Sequence, residues 1–303
     1  MRIASLLPSA TEILFAVGAG DEVVGVTHEC DHPGGVAGLP RLTASAIDQQ
    51  GQMCAAIDRH IRGALHQGSS IYRLDEGLLS ELEPDLIVTQ ELCDVCAVAY
   101  TQVTAAARGL PGEVLVLSLE PNTLEDICAT VETVGAAAGH VDAAERVAKD
   151  MRRRISEVAA LPRPDPAPRV ACIEWTDPLM VGGHWVPEMV RVAGGVDTLG
   201  PEGSASIYME WRAVIEAEPE VMVLMPCGMG LDGTLRAAAD VTARQGFDQL
   251  PCATSRRVAA VDGSSFYNRP GPRIVDGLEI MAAILRARPG EPLPAGAAWV
   301  GSS

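Results

Sequence analysis

The chain has 303 residues, 48% of them apolar and 21% charged, with 23 basic against 40 acidic side chains and a formal net charge of −17. That length accommodates two domains of ordinary size around real cores. The acidity argues against nucleic acid and anionic membranes as partners, because both would be repelled. No apolar run reaches the ~20 residues of a membrane span, so membrane insertion is not expected.

The opening stretch, MRIASLLPSATEILFAVGAG, lacks the charged start, continuous apolar core and small-residue cleavage site of a secretory signal. The expected location is therefore cytoplasmic, or extracytoplasmic if a signal has been removed. Residues 3–7 read as a buried strand, and Ser9-Ala-Thr-Glu12 as a helix start with a capping-box pattern. Further strands are expected at 23–26, 86–89 and 114–118, between helices at 10–17, 51–67, 76–82, 97–108 and 124–138. Such alternation implies a mostly parallel sheet covered on both faces.

The stretch 141–161 sets Ala144, Val147, Ala148, Met151, Ile155 and Val158 on one helical face, and the prolines at 162, 164, 166 and 168 end it. Beyond it the theme repeats, with strands at 170–174, 221–225 and 258–261 and helices at 186–192, 212–217, 235–244 and 272–288. Two stretches of the first half recur in the second in the same order. Arg2-Ile-Ala-Ser-Leu matches Arg169-Val-Ala-Cys-Ile, and Glu83-Pro-Asp-Leu-Ile-Val88 matches Glu218-Pro-Glu-Val-Met-Val223. The expected fold class is thus α/β, with two Rossmann-like lobes at 1–140 and 168–288. A long rigid helix at 141–161 joins them, a ligand cleft lies between them, and a Pro/Gly-rich tail follows at 289–303.

In open α/β sheets, ligands bind beyond the carboxyl ends of the strands. The unusual polar residues collect at those positions. Ser9 and Thr11 follow the first strand and His28-Glu-Cys30 the second. Gln90 and then Cys93-x-x-Cys96 follow the third. In the second half, Glu174 and Trp175, His184 and Trp185, and Phe266, Tyr267 and Arg269 occupy equivalent places. Cys93, Cys96, Cys30 and His28 have the donor types of a zinc or iron–sulfur site. The same cysteines also read as packing residues, or as a redox pair at a helix start. Trp175, Trp185 and Phe266 offer apolar faces to a flat ligand, and Arg269 a clamp for an anionic group. His184 and Trp185, between a glycine pair and a helix, are expected to be exposed. Cys54, Cys128, Cys172 and Cys252 have no partner spacing and read as packing. No G-x-S-x-G elbow or Walker lysine motif is present, and the chain is read without a dinucleotide fingerprint; a binding protein is expected, not an enzyme.

The motifs SLLPSATE at 5–12, EPDLIV at 83–88, VGGHW at 181–185 through the glycines at 194 and 195, and the stretch from Pro272 resemble the helical-backbone class of substrate-binding proteins. That resemblance covers residues 2–288 and is closest to the cobalamin-binding members. It implies a small-molecule ligand, cobalamin or another metal chelate, with an ABC permease as partner. It also implies that Ser9, Thr11, Gln90, Tyr267 and Arg269 make polar contacts. Exported members carry a docking glutamate seven residues before the proline of each repeated motif. Those positions are Gly77 and Arg212 here, with Glu76 and Glu210 displaced from them. Gln90 stands where such members stack an aromatic, while Phe266 keeps one. The HEC and CxxC elements resemble a leaderless branch. The alternative is a cytoplasmic metalloprotein or enzyme with zinc, iron or an iron–sulfur cluster on His28, Cys30, Cys93 and Cys96.

Overall fold

The computed structural model describes residues 1–45, 54–66, 72–90 and 100–301. The chain divides into two compact units. One runs to Met151 and the other comprises Arg152 onward together with 54–55 and 122–124. Both are α/β.

In the first unit, four parallel strands lie in the order Val23–Val26, Ile3–Ser5, Leu86–Thr89, Leu115–Ser118. The central strands are almost uniformly apolar because helices cover both faces, and Ile3, Ala4, Ile87 and Val88 are wholly buried. Ala4, Leu6, Leu42, Leu79, Ile87 and Val103 form the core on one side. The first helix, Pro8–Ala16, begins two residues earlier than expected, with Leu7 as a cap that contributes no side-chain bond. Pro8 presets the backbone of the first helical position and has no N–H to satisfy, so Ser9 is inside the helix and no capping box forms.

A second, two-stranded antiparallel sheet, Thr43–Ser45 with Tyr72–Leu74, was not expected from the sequence. Three-residue strands carry too little alternation to be read. This small sheet nonetheless supplies two residues of the candidate site, Thr43 and Tyr72.

The helix Val141–Ala159 buries Ala144, Ala148, Met151 and Val158, while Val147 and Ile155 stay partly open. The division between the two units falls within it, after Met151. In its last turns Arg154 reaches Asp276 at 2.6 Å and Glu279 at 2.7 Å on the helix Ile274–Arg286.

The second unit is built on a seven-stranded sheet. Arg169–Thr176, Val221–Leu224 and Val258–Val261 are its parallel centre, and Val196–Asp197 pairs parallel with the first of them. Antiparallel strands complete it: Leu179–Val181 and Ile207–Tyr208 at one side, Ala297–Trp299 at the other. The last of these lies in the Pro/Gly-rich tail. Trp299 is buried there and donates its Nε1–H to the Glu291 carbonyl at 2.8 Å. Among the described residues no helix is long and apolar enough to cross a membrane.

Candidate functional site

The larger sheet of each unit carries polar candidates at or just beyond the carboxyl ends of its parallel strands, and each unit forms its own edge.

On the first edge, Thr11 is fully buried. Its hydroxyl lies 2.8 Å from Ser5 Oγ, 3.1 Å from the Leu7 carbonyl and 3.0 Å from Cys30 Sγ. Thr11 therefore holds the first loop to the second, and the expected ligand contact is replaced by an internal one. Cys30 is buried as well, and its carbonyl accepts from Arg41 Nη1 at 2.9 Å, the nitrogen that also reaches the Thr27 carbonyl. Ser9 and Gln90 are nearly buried at the same edge. Thr89, the last residue of its strand, has a buried Oγ1 without a hydrogen-bond partner among the described residues.

His28 is held differently. Thr43 Oγ1 accepts the His28 backbone N–H at 3.1 Å and pairs with Nδ1 at 2.7 Å. The ring packs on Tyr72 at a centroid distance of 5.4 Å and a tilt of 51°. Tyr72 donates its hydroxyl to Glu29 Oε1 at 3.0 Å. Burial lowers the His28 pKa, Glu29 opposes that shift and Arg41 adds to it, so the imidazole is held neutral. Cys93 and Cys96 lie outside the described residues. Among those described, no three His, Cys, Asp or Glu side chains are grouped to hold a metal ion.

On the second edge, Glu174 and Trp175 end the strand Arg169–Thr176 and are partly exposed. Glu174 Oε2 accepts from Ser206 Oγ at 2.8 Å, and that oxygen accepts the Gly183 N–H at 3.0 Å. A side chain at Gly183 would meet the backbone of Ser204 and Ser206 at 2.3 and 2.6 Å, which is why a glycine stands there. His184 follows in a left-handed conformation, φ 50°. Its N–H donates to the Ser204 carbonyl at 2.6 Å, and Nδ1 lies 3.1 Å from Asn122 Oδ1, a residue grouped with this unit. Its ring is half-buried and stacks on Trp185.

Trp185 and Tyr267 correct the sequence expectation. Trp185 is buried and donates Nε1–H to the Tyr267 carbonyl at 2.9 Å, and Tyr267, fully buried, donates its hydroxyl to the Gly277 carbonyl at 2.9 Å. Both polar atoms are engaged inside the unit, because an indole or phenol is buried at little cost only when its donor finds an acceptor. The pair forms the floor under the edge. Phe266 stays partly exposed with the Arg273 guanidinium 5.9 Å from its ring centre, and Arg269 is partly exposed beside it.

One spacing passed over in the sequence is Gly228-Met-Gly230-Leu-Asp-Gly233, a G-x-G-x-x-G run between the strand Val221–Leu224 and the helix Leu231–Thr242. Asp232 occupies the first turn of that helix, and the Asp262 carboxylate lies 3.9 Å from where a Gly230 side chain would begin. Two acids there oppose a phosphate, so the run serves as a tight connection.

A family model described as periplasmic binding protein matches residues 3–264. A Bacillus subtilis protein described as an uncharacterized ABC transporter substrate-binding lipoprotein is 25% identical, the match covering 93% of this chain and 78% of that one. A vitamin B12-binding protein of Vibrio cholerae is 23% identical, covering 94% of this chain and 89% of its own length. Among solved structures, a periplasmic heme-binding protein from Pseudomonas aeruginosa superposes with a TM-score of 0.68 at 21% identity, covering 95% of this chain and 94% of that one.

Proposed function

Because the chain belongs to the periplasmic binding protein family, we propose that it binds cobalamin or a closely related metal chelate, and does so without catalysing a reaction on it. The observation that carries this reading is the near full-length similarity to a vitamin B12-binding protein. It is joined by the chemistry of the two edges. Trp175 and Phe266 present flat apolar surface of the kind a corrin or porphyrin covers. Ser9 and Gln90 on the first edge, and Glu174, His184 and Arg269 on the second, are the polar candidates for its side groups. Delivery to an ABC permease is the second part of the proposal. It is supported by the Bacillus relative's description and by exposed acids at the starts of two corresponding helices, Glu76 of Glu76–Leu82 and Glu210 ahead of Trp211–Ala217.

The test is a titration of purified protein with aquocobalamin and with ferric haem, followed by absorbance and by melting temperature. A ligand present at a hundred times its Kd stabilises the folded state by about 2.7 kcal/mol, so binding raises Tm visibly. Unchanged spectra and melting curves with both chelates at saturating concentration would remove this ligand class. Charge reversal at Glu76 and Glu210 is expected to abolish permease-dependent uptake without altering ligand affinity; uptake that survives both reversals would remove the docking role.

A further inference from the structure

Most polar side chains on the first edge are spent within the unit: Thr11 and Cys30 hold one another, and Arg41 ties the Thr27 and Cys30 carbonyls. His28 is the exception in kind. One edge of its ring is fixed by Thr43 at Nδ1, one face by Tyr72, and Tyr72 in turn by Glu29. A quarter of the side chain, 25%, nevertheless remains open to solvent. The opposite ring nitrogen, Nε2, is 3.9 Å from Glu29 Oε1, too far for a hydrogen bond. An imidazole with one nitrogen anchored, a tyrosine ring packed against it and its other nitrogen without a hydrogen bond among the described residues is organised as a metal-ligating histidine is.

Resting on the ligand class proposed above, we infer that His28 is an axial ligand to the metal of the bound chelate, through Nε2, with Thr43 and Tyr72 as its positioning residues. The step is a ligand exchange. The Nε2 lone pair forms the metal–nitrogen bond, a metal-bound water leaves, the ring proton sits on Nδ1 directed at Thr43 Oγ1, and no electron is transferred. Cys30, two residues on, is the wrong donor: its thiol is buried and held against Thr11. The geometry therefore selects chelates with an exchangeable axial position.

The full chain is titrated with aquocobalamin and with ferric haem, and the spectrum of the bound chelate reports whether a nitrogen has replaced water. Wild-type protein is expected to show the nitrogen-ligated spectrum. His28→Ala is expected to lose it and to bind more weakly, by no less than the roughly 10- to 100-fold that removing a partner behind a metal ligand costs, and free imidazole is expected to restore it. Thr43→Val keeps the ligand but not its anchor and is expected to weaken ligation; because it also removes the acceptor of the His28 backbone N–H, Tm falls as well, and the bound spectrum is the deciding readout. A structural role alone would lower Tm in these variants and leave the bound spectrum untouched. If His28→Ala does not fold by circular dichroism, His28→Gln and Thr43→Val make the same comparison. A chelate bound with the same spectrum and affinity by wild type and variants overturns the assignment of His28 and leaves the function standing. Failure of wild-type protein to bind either chelate overturns both.

Discussion

Glu83 and Glu218 share a backbone conformation that side chains rarely adopt, φ 40° and 44°, each ending a seven-residue helix and preceding a proline. What surrounds them is shared too. The Arg2 N–H donates to Asp85 and the Asp85 N–H returns to the Arg2 carbonyl at 2.8 Å, while Arg169 and Glu220 exchange the same pair of bonds. The repeated sequence is therefore a repeated device. It closes a helix in the left-handed region and turns the chain directly into a central strand, where an acidic side chain tethers the residue at the entry of the neighbouring strand. A left-handed non-glycine residue costs about 1–2 kcal/mol, and glycine removes that cost at a helix end. Glu218→Gly is expected to raise stability by roughly 1 kcal/mol, read as a shift in denaturant midpoint. Glu220→Ala, which strips the tether, is expected to lower it by about 1 kcal/mol. A destabilised Glu218→Gly protein would show that the glutamate side chain, and not the turn, matters at that place.

Two helical glycines separate conformational need from mere presence. A methyl group at Gly277 would stand 2.1 Å from the Phe266 carbonyl, and the Gly277 carbonyl itself receives the Tyr267 hydroxyl. Gly277→Ala must push the Phe266–Tyr267 turn away. The expected cost is about 1–3 kcal/mol, with weaker chelate binding wherever Phe266 contributes a face. At Gly77 the nearest atom to such a methyl is Asp75 Oδ1 at an ordinary 3.5 Å. Gly77→Ala is expected to be neutral or to stabilise the helix by up to about 1 kcal/mol. Chemical denaturation of the two variants side by side decides it; equal effects would refute the packing account.

The parallel strands of four or more residues were legible to the residue or nearly so, because a strand covered on both faces is a run of apolar residues with breakers at each end: 23–26, 86–89 and 258–261 stand where the sequence put them. The shortest strands were not legible. Val196–Asp197 and Ile207–Tyr208 are two residues long, and nothing in a dipeptide distinguishes a paired edge from a loop. Side-chain fate was legible only halfway. Thr11, Trp185 and Tyr267 do follow strands in the chain, yet the bonds that bury them run to partners 6, 82 and 10 positions away. Such partners depend on packing that no local pattern encodes. Thr43 and Tyr72, which set the His28 ring, escaped notice for the same reason: they come from the small sheet that the sequence did not announce.

Asp197 was also invisible as a special residue. Its Oδ1 accepts the Leu199 and Gly200 N–H groups at 2.9 and 2.7 Å, while Oδ2 is buried and meets no N–H or O–H among the described residues; the Cys172 thiol is the one further donor acting on this carboxyl there. Burial pushes its pKa up, against those two backbone bonds. A carboxyl whose folded pKa is raised favours folding at low pH, and that contribution is lost as pH rises from the unfolded value through the folded one. Asp197→Asn keeps an oxygen for the two N–H groups and removes the buried charge. Its Tm is expected to exceed that of wild type near neutral pH and to converge on it near pH 4. A variant less stable than wild type at pH 7 would mean that Oδ2 has a charge partner in solution.

His184 gives the opposite dependence. Burial lowers its pKa, and the neutral ring is kept in place by Asn122 and by stacking on Trp185. The unfolded chain takes up a proton near the ordinary histidine value of about 6.5, whereas the folded protein resists protonation until a lower pH. The stability this difference supplies is complete above the unfolded pKa. It is lost as pH falls from there through the folded pKa, and below that the loss levels off. His28, also lowered by burial, adds a loss of the same sign, so the wild-type profile alone cannot apportion it. His184→Asn can, because asparagine tolerates the left-handed backbone at φ 50° and does not titrate. Urea denaturation of both proteins at intervals between pH 7.5 and pH 5 should show wild type losing stability more steeply, the gap between them narrowing as the pH drops. Parallel profiles would mean that His184 is as easily protonated in the folded protein as in the unfolded chain, and that its half-buried place beside Trp185 is well hydrated.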